Sequence, residues 1–129
     1  MRAKRLILVV GMVIAMAGCS HVRMGLFLLQ DNPSENDPDS VARGRVAFAA
    51  NCASCHGTNA DGAGAEAKDL TPKPTNFIAP SYTKTAARIA ARITYGKGDV
   101  MPAFDGTLTK AEIWDTANYL RSLQKAGTE

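Results

Sequence analysis

The chain has 129 residues, with 15 lysines and arginines, 12 aspartates and glutamates, and a formal net charge of +3. Three of the basic residues and none of the acidic ones fall within residues 1–18, so the remaining 111 residues carry twelve charges of each sign. A remainder without net charge has no positive excess with which to bind a polyanion, and we therefore predict no nucleic-acid partner. Its length suits one domain with a modest core.

The N-terminus has the three parts of a bacterial secretory signal: a basic start, an apolar run at residues 6–17, and a Met-Ala-Gly-Cys ending at Cys19. The apolar run is short for a membrane span, which needs about 20 residues. The ending resembles the cleavage box of bacterial lipoproteins, with Met16 where leucine is usual. This resemblance implies that residues 1–18 are removed and that Cys19 is acylated. The alternatives are an ordinary cleaved signal with a free thiol at Cys19, or an uncleaved anchor.

Residues 19–39 are predicted to be a lipid-anchored tether that precedes a domain over residues 40–129. The tether begins with an apolar stretch, Met24 to Leu29, and continues as a polar, acidic segment with two prolines at residues 30–40. The apolar stretch suits the bilayer surface, a docking partner or a packed N-terminal extension, and the sequence does not choose among them.

The first helix of the domain is predicted from about Ser40 to Asn51. Its apolar positions at helical spacing are Val41, Phe48, Ala49 and Cys52. Gly44 in the middle of this helix lowers its stability relative to alanine, and a close crossing with another helix would explain it.

Directly after this helix comes the run Cys52-Ala53-Ser54-Cys55-His56. Two thiols three residues apart, followed at once by an imidazole, are typical of covalent c-type haem attachment. Each thiol adds to one vinyl group of the haem, and His56 then provides the proximal iron ligand. A zinc site would need a second cysteine pair or a histidine cluster, and the chain has neither after this run. A thioredoxin-like dithiol would need a βαβ setting. A disulfide between residues three apart would be strained.

A second helix is predicted from about Thr83 to Tyr95, and Gly96 is expected to end it. Its apolar face consists of Ala86, Ile89, Ala90 and Ile93. The opposite stripe is basic and consists of Lys84, Arg88 and Arg92. Such a stripe is usually a solvated face.

The loop after this helix carries Met101, followed by Pro102. The other methionines lie in the signal or beside Cys19, and His21 is the only other histidine. Met101 is therefore the expected distal ligand of a six-coordinate haem, because its thioether would complete a His/Met pair.

The last helix is predicted from about Lys110 to Lys125. Thr109 and Glu112 form a capping box at its start. Its predicted buried stripe consists of Ile113, Ala117 and Leu120. No convincing strand pattern occurs, and the Gly- and Pro-rich residues 57–82 indicate loops around a cofactor.

The order of these motifs resembles that of class I c-type cytochromes over about Val41 to Lys125. The matching residues are Gly44-Arg45, Phe48, the run from Asn51 to Gly57, Ile93, Gly96, the run from Met101 to Phe104, Ile113-Trp114, Tyr119-Leu120 and Leu123. The resemblance implies an all-α fold, in which three main helices and loops wrap around one covalent haem c. It also implies that the first and last helices cross near Gly44 and Tyr119.

The resemblance also implies roles for single residues. Cys52 and Cys55 would hold the haem, and His56 and Met101 would ligate its iron. A proline carbonyl, from Pro72 or Pro74, would accept the Nδ1–H of the proximal histidine. Four side chains would lie within reach of the haem propionates: Asn76, Tyr82, Arg88 and Arg92.

We therefore expect a monohaem electron carrier rather than an enzyme, lipid-anchored on the periplasmic side of a bacterial membrane, inner or outer. Its partners would be redox proteins, such as an oxidase, a reductase or a quinol-oxidising complex, that dock weakly on the haem edge. The alternatives are a fixed cytochrome subunit of a respiratory complex and, less favoured by the motifs, a haem enzyme or gas sensor.

Overall fold

A computed structural model describes residues 22–126, and all regular elements in that range are helices, apart from two isolated β-bridges. The described residues divide into two compact units, with the boundary between Gln30 and Asp31. In the first, residues 22–28 are helical. None of the helices between residues 22 and 126 combines the length and apolar character that crossing a bilayer requires. The all-α prediction is confirmed.

The second unit contains the predicted helices with small changes of boundary. Its elements are α1 (Pro38–Asn51), α2 (Ala53–His56), a 3₁₀ helix η1 (Ala65–Asp69), α3 (Ala86–Tyr95) and α4 (Lys110–Ala126). Helix α1 begins two residues earlier than predicted, because Asp37 caps it by accepting a hydrogen bond from the Asp39 N–H, and Pro38 suits a first helical turn.

Helices α1 and α4 pack closely at Gly44. A Cβ atom built at Gly44 would overlap the Asp115 carbonyl oxygen and lie 2.9 Å from the Thr116 nitrogen. One turn further along, the rings of Phe48 and Tyr119 are 5.5 Å apart. The predicted close crossing is therefore present, and only glycine permits it.

The buried face of α1 differs from the predicted one. Ser40, Gly44 and Phe48 are buried, whereas Ala49 is exposed. The buried residues are spaced by four, which follows one ridge of the helix. Two of them are polar or lack a side chain, so an apolar pattern could not reveal this face.

A buried carboxylate joins α1 to α4 beside this crossing. Asp115 is only 4% exposed. Its carboxylate accepts hydrogen bonds from the Ser40 hydroxyl at 2.5 Å and from two nitrogens of Arg43 at 2.7 and 3.1 Å. Burial raises the pKa of Asp115, but the hydrogen bonds from Arg43 and Ser40 outweigh it and leave the pKa below its ordinary value. The ionised form is therefore the one that stabilises the fold.

Part of the predicted tether lies against the domain. The side-chain amide of Asn118 on α4 donates to the Ser34 carbonyl at 3.1 Å, and Asn32 donates to the Asn118 side chain at 2.6 Å. The unit that contains these helices begins at Asp31. The tether over residues 19–39 and the domain over residues 40–129 stay predictions.

The other predicted faces agree with the structure. In α3 the buried residues include Ile89, Ala90 and Ile93, and in α4 they include Ile113, Ala117 and Leu120. Thr109 and Glu112 form the reciprocal bonds of a capping box, with the Thr109 N–H donating to Glu112 at 2.8 Å. Gly96 ends α3 with a φ of 69°.

Candidate haem cleft

A cleft of about 380 Å³ opens beside the end of α1. Its wall is mainly apolar and includes Phe48, Phe77, Ile93, Phe104 and Leu120. The cleft also brings together four of the predicted site residues: Cys52, Cys55, His56 and Met101. The fifth, Cys19, lies outside the described residues.

The end of α1 places both thiols and the imidazole in the cleft. The Cys52 N–H still donates to the Phe48 carbonyl at 2.9 Å, and the His56 N–H donates to the Cys52 carbonyl at 2.8 Å. The run from Cys52 to His56 is thus one tight turn of chain. Cys52 and Cys55 are free thiols and form no disulfide with each other.

The surroundings of both thiols raise their pKa. Burial, and then the charge of Cys55, raise the pKa of Cys52 to about 11. Burial also raises the pKa of Cys55, as does the nearby Glu66 carboxylate, whose Oε2 lies 3.3 Å from the Cys55 sulfur. Before haem attachment, the raised pKa values favour the neutral thiol over the thiolate at both positions.

His56 is oriented by one backbone carbonyl. Its Nδ1 lies 3.1 Å from the Thr75 oxygen. Because a carbonyl oxygen only accepts, Nδ1 carries the proton and Nε2 keeps a free lone pair. Burial lowers the pKa of His56, against a smaller effect of the Thr75 hydrogen bond, so the ring is held neutral. A neutral imidazole with a free Nε2 is a ready metal ligand.

The expectation that Pro72 or Pro74 accepts this hydrogen bond is therefore wrong. The Pro74 carbonyl points towards Gly62, where a built Cβ atom would lie 2.7 Å from it. The next carbonyl along the chain, that of Thr75, is the one that faces His56. Glycine at position 62 leaves room for this approach.

A short loop presents Met101. Lys97 and Met101 exchange backbone hydrogen bonds of 2.8 and 3.3 Å. The Phe104 N–H then donates to the Ile93 carbonyl at 3.0 Å, which returns the chain to α3. The thioether of Met101 is half-buried and lines the cleft.

Contacts with the haem propionates stay a prediction for four side chains. Asn76, Tyr82, Arg88 and Arg92 are not among the residues that line the cleft. Charged residues that do line it, and that the sequence did not single out, are Glu66, Lys73 and Lys97. No local pattern identifies them, since isolated charges in loops are common.

The residues present fit a covalently bound haem. The cleft offers an apolar wall, two thiols, a neutral imidazole with a free nitrogen and a thioether. Thiols attach a c-type haem, and imidazole and thioether are its common axial ligands.

Comparison with known proteins finds relatives among the c-type cytochromes. Residues 39–120 match the profile of a family described as "Cytochrome C oxidase, cbb3-type, subunit III". Cytochrome c6 of Porphyra purpurea is 40% identical over 84 residues, which are 65% of this chain and 72% of that protein. Cytochrome c6 of Leptolyngbya boryana is 34% identical over 89 residues, 69% of this chain and 98% of that protein.

The cbb3-type cytochrome c oxidase subunit CcoP of Azospirillum brasilense is 31% identical over 97 residues, which are 75% of this chain. The chain spans about a third of the length of this relative, 33%. The chain belongs to the family of class I c-type cytochromes, all-α electron-transfer domains, and carries a covalently bound haem c.

Proposed function

We propose that Cys52 and Cys55 hold one haem through thioether bonds and that His56 and Met101 are its two axial ligands. The observation that carries this proposal is the convergence of these four side chains on one otherwise apolar cleft. The donors come from two segments, and His56 and Met101 are 45 positions apart in the sequence.

When bound, the haem supplies a reversible one-electron change at its iron. The protein positions the ligands of the haem and shields the cleft. Thr75 fixes the plane of the His56 ring, the loop from Gly96 presents Met101, and the apolar wall keeps water from the buried part of the cleft. With two side-chain donors on the iron, no position is left for a substrate. A carrier, rather than an enzyme, is therefore the function that this site favours.

Axial ligation is tested with Met101→Ala. The variant is expected to keep its covalent haem but lose the weak far-red absorption band of thioether-ligated ferric haem, and its reduction potential should change because the donor does. Met24→Ala serves as the matched control, since residue 24 belongs to the other unit of the chain. An unchanged far-red band in Met101→Ala would show that another group ligates the iron.

Removal of residues 1–18 and acylation of Cys19 would place this carrier on the periplasmic side of a membrane. Val22 and Leu26, one turn apart in the helix over residues 22–28, and Leu29 just past its end support the anchor, because they are 61, 60 and 80% exposed. Val22 is three positions beyond Cys19, a reach of at most about 10 Å. These apolar side chains would then lie within the headgroup region.

The anchor is tested by mass spectrometry of the mature protein extracted from membranes. We expect a chain that begins at Cys19 with added acyl chains, and release of Cys19→Ser into the soluble periplasmic fraction. An unmodified N-terminus, or a Cys19→Ser variant that stays with the membrane, would contradict the anchor. Either result would leave the proposed haem ligation unaffected.

For a tethered carrier, the partners would be membrane-bound redox proteins, and tethering would raise its local concentration near them. A fixed subunit of an oxidase is the second candidate, favoured by the relatives named as subunits of cbb3-type oxidases. Mild detergent extraction separates the two. A free carrier elutes near its own mass, whereas a fixed subunit elutes with much larger chains and keeps their absorption spectra.

A further inference from the structure

Arg92 contacts the start of the loop that carries Met101. Its Nη1 donates to the Gly96 carbonyl oxygen at 2.9 Å. In return, the Gly96 N–H donates to the Arg92 carbonyl at 2.9 Å. Residues 92 and 96 are thus joined twice, once through the backbone and once through the guanidinium.

The bond from the guanidinium to the Gly96 carbonyl is not part of ordinary helix geometry. The carbonyls at the C-terminus of a helix lack partners within the helix and form its negative end. The Gly96 carbonyl lies just past that end, at a buried residue, where the helix itself supplies no donor for it. A guanidinium supplies a charged donor, whose hydrogen bonds are stronger than those of neutral donors.

The orientation of Gly96 bears directly on Met101. A Cβ atom at Gly96 would lie 2.5 Å from the Met101 oxygen and 2.8 Å from the Ala103 nitrogen, so the two ends of the loop are in contact there. The bonds between Lys97 and Met101 close the loop immediately beyond. The outer part of the loop offers no such constraint, since a Cβ at Gly98 would meet nothing within 4 Å.

Arg88 provides a contrast on the same helix. It belongs to the same basic stripe, one turn before Arg92, and both residues are exposed. Among the described residues its side chain makes no hydrogen bond, and only its backbone N–H is used, by Thr85 in capping α3. The two arginines therefore share charge, exposure and helix, and differ in their contact with the loop.

We propose that Arg92 is a positioning residue for the distal ligand: its guanidinium clamps the Gly96 carbonyl, holds the loop closed and so keeps the Met101 thioether on the iron. This proposal rests on the proposed ligation by Met101. It separates Arg92 from the rest of the basic stripe, which the sequence presents as a uniform solvated face.

The test measures how often the loop opens. In the ferric holoprotein, imidazole binds only after Met101 has left the iron, so the limiting rate of imidazole binding at saturation reports loop opening. We expect Arg92→Gln to raise this rate about tenfold, which corresponds to about 1.4 kcal/mol. The matched control Arg88→Gln should stay within about twofold of wild type, because one solvated charge contributes little. Arg92→Lys keeps the charge but not the planar fork, and its rate should fall between those of wild type and Arg92→Gln.

Equal imidazole rates in wild type, Arg92→Gln and Arg88→Gln would overturn the clamp. So would a change in reduction potential in Arg92→Gln with an unchanged imidazole rate, which would assign the guanidinium to a propionate. Failure of the underlying ligation is distinguishable, since wild type itself would then lack the far-red thioether band. Arg92→Lys should retain its covalent haem and unfold at the same midpoint as wild type, which would show that its imidazole rate does not reflect a general folding defect.

Discussion

For the substitution Gly44→Ala, helix propensity and tertiary packing predict opposite changes in the free energy of unfolding. Alanine is favoured over glycine by about 1 kcal/mol in the interior of a helix, so propensity alone predicts a more stable protein. In the structure, however, the added methyl group would overlap the Asp115 carbonyl and lie 2.9 Å from the Thr116 nitrogen. Both are backbone atoms of α4, which cannot rotate away as a side chain can.

The two helices must therefore separate. Overpacking of this kind costs about 3 kcal/mol, and the gain in propensity offsets about 1 kcal/mol of it. Separation would also stretch the Arg43–Asp115 bond, now 2.7 Å long. We expect a net loss of about 2 kcal/mol or more, which lowers the midpoint of thermal unfolding by about 8 to 16 °C in a domain of this size.

The assay is thermal and guanidinium unfolding of the ferric holoprotein, followed by circular dichroism in the far ultraviolet. Ala42→Gly on the exposed side of the same helix is the control and should cost about 1 kcal/mol, the propensity difference alone. If Gly44→Ala proves as stable as wild type or more so, the close approach of the two helices is refuted.

Three further outcomes are expected. Asp115→Asn should destabilise the protein at neutral pH. The difference in unfolding free energy from wild type should vanish as the pH falls through the lowered pKa of Asp115, because only the ionised form of Asp115 binds Arg43. A constant difference across pH 2 to 7 in urea unfolding would contradict this. Thr109→Ala removes the capping box of α4 and should cost about 1 kcal/mol by the same assay, with no change in the visible spectrum; an unchanged midpoint would mean that the cap contributes nothing. Gly96→Ala forces a side chain into a left-handed conformation (φ 69°) against the Met101 oxygen, so the far-red thioether band should weaken while the covalent haem is retained; a band of full strength would contradict the tight loop.

The local features of this protein could be predicted from the sequence. The cysteine and histidine spacing, the capping box and the glycine at the end of α3 each act within a few residues of chain. The structure agrees with them because hydrogen bonds one turn apart depend little on the rest of the fold. Cys19 lies outside the described residues, and its acylation stays a prediction.

The orientation of His56 could not be read from the sequence. The residues of the 72–75 segment all carry carbonyls, and their direction depends on how this segment packs against Gly62. Family resemblance suggested a proline, whereas packing turns the Thr75 carbonyl towards the ring. Arg92 is a similar case, because its partner lies at the end of a helix whose stripe looks uniform along the chain.

The sequence by itself determined the kind of cofactor and the helical segments, since both depend on residue type and spacing along one stretch of chain. Tertiary structure decided which face of α1 is buried, which carbonyl holds the imidazole and which arginine meets the methionine loop. These outcomes depend on atoms far apart in sequence, such as Gly44 and Asp115, whose contact arises only when the two helices cross.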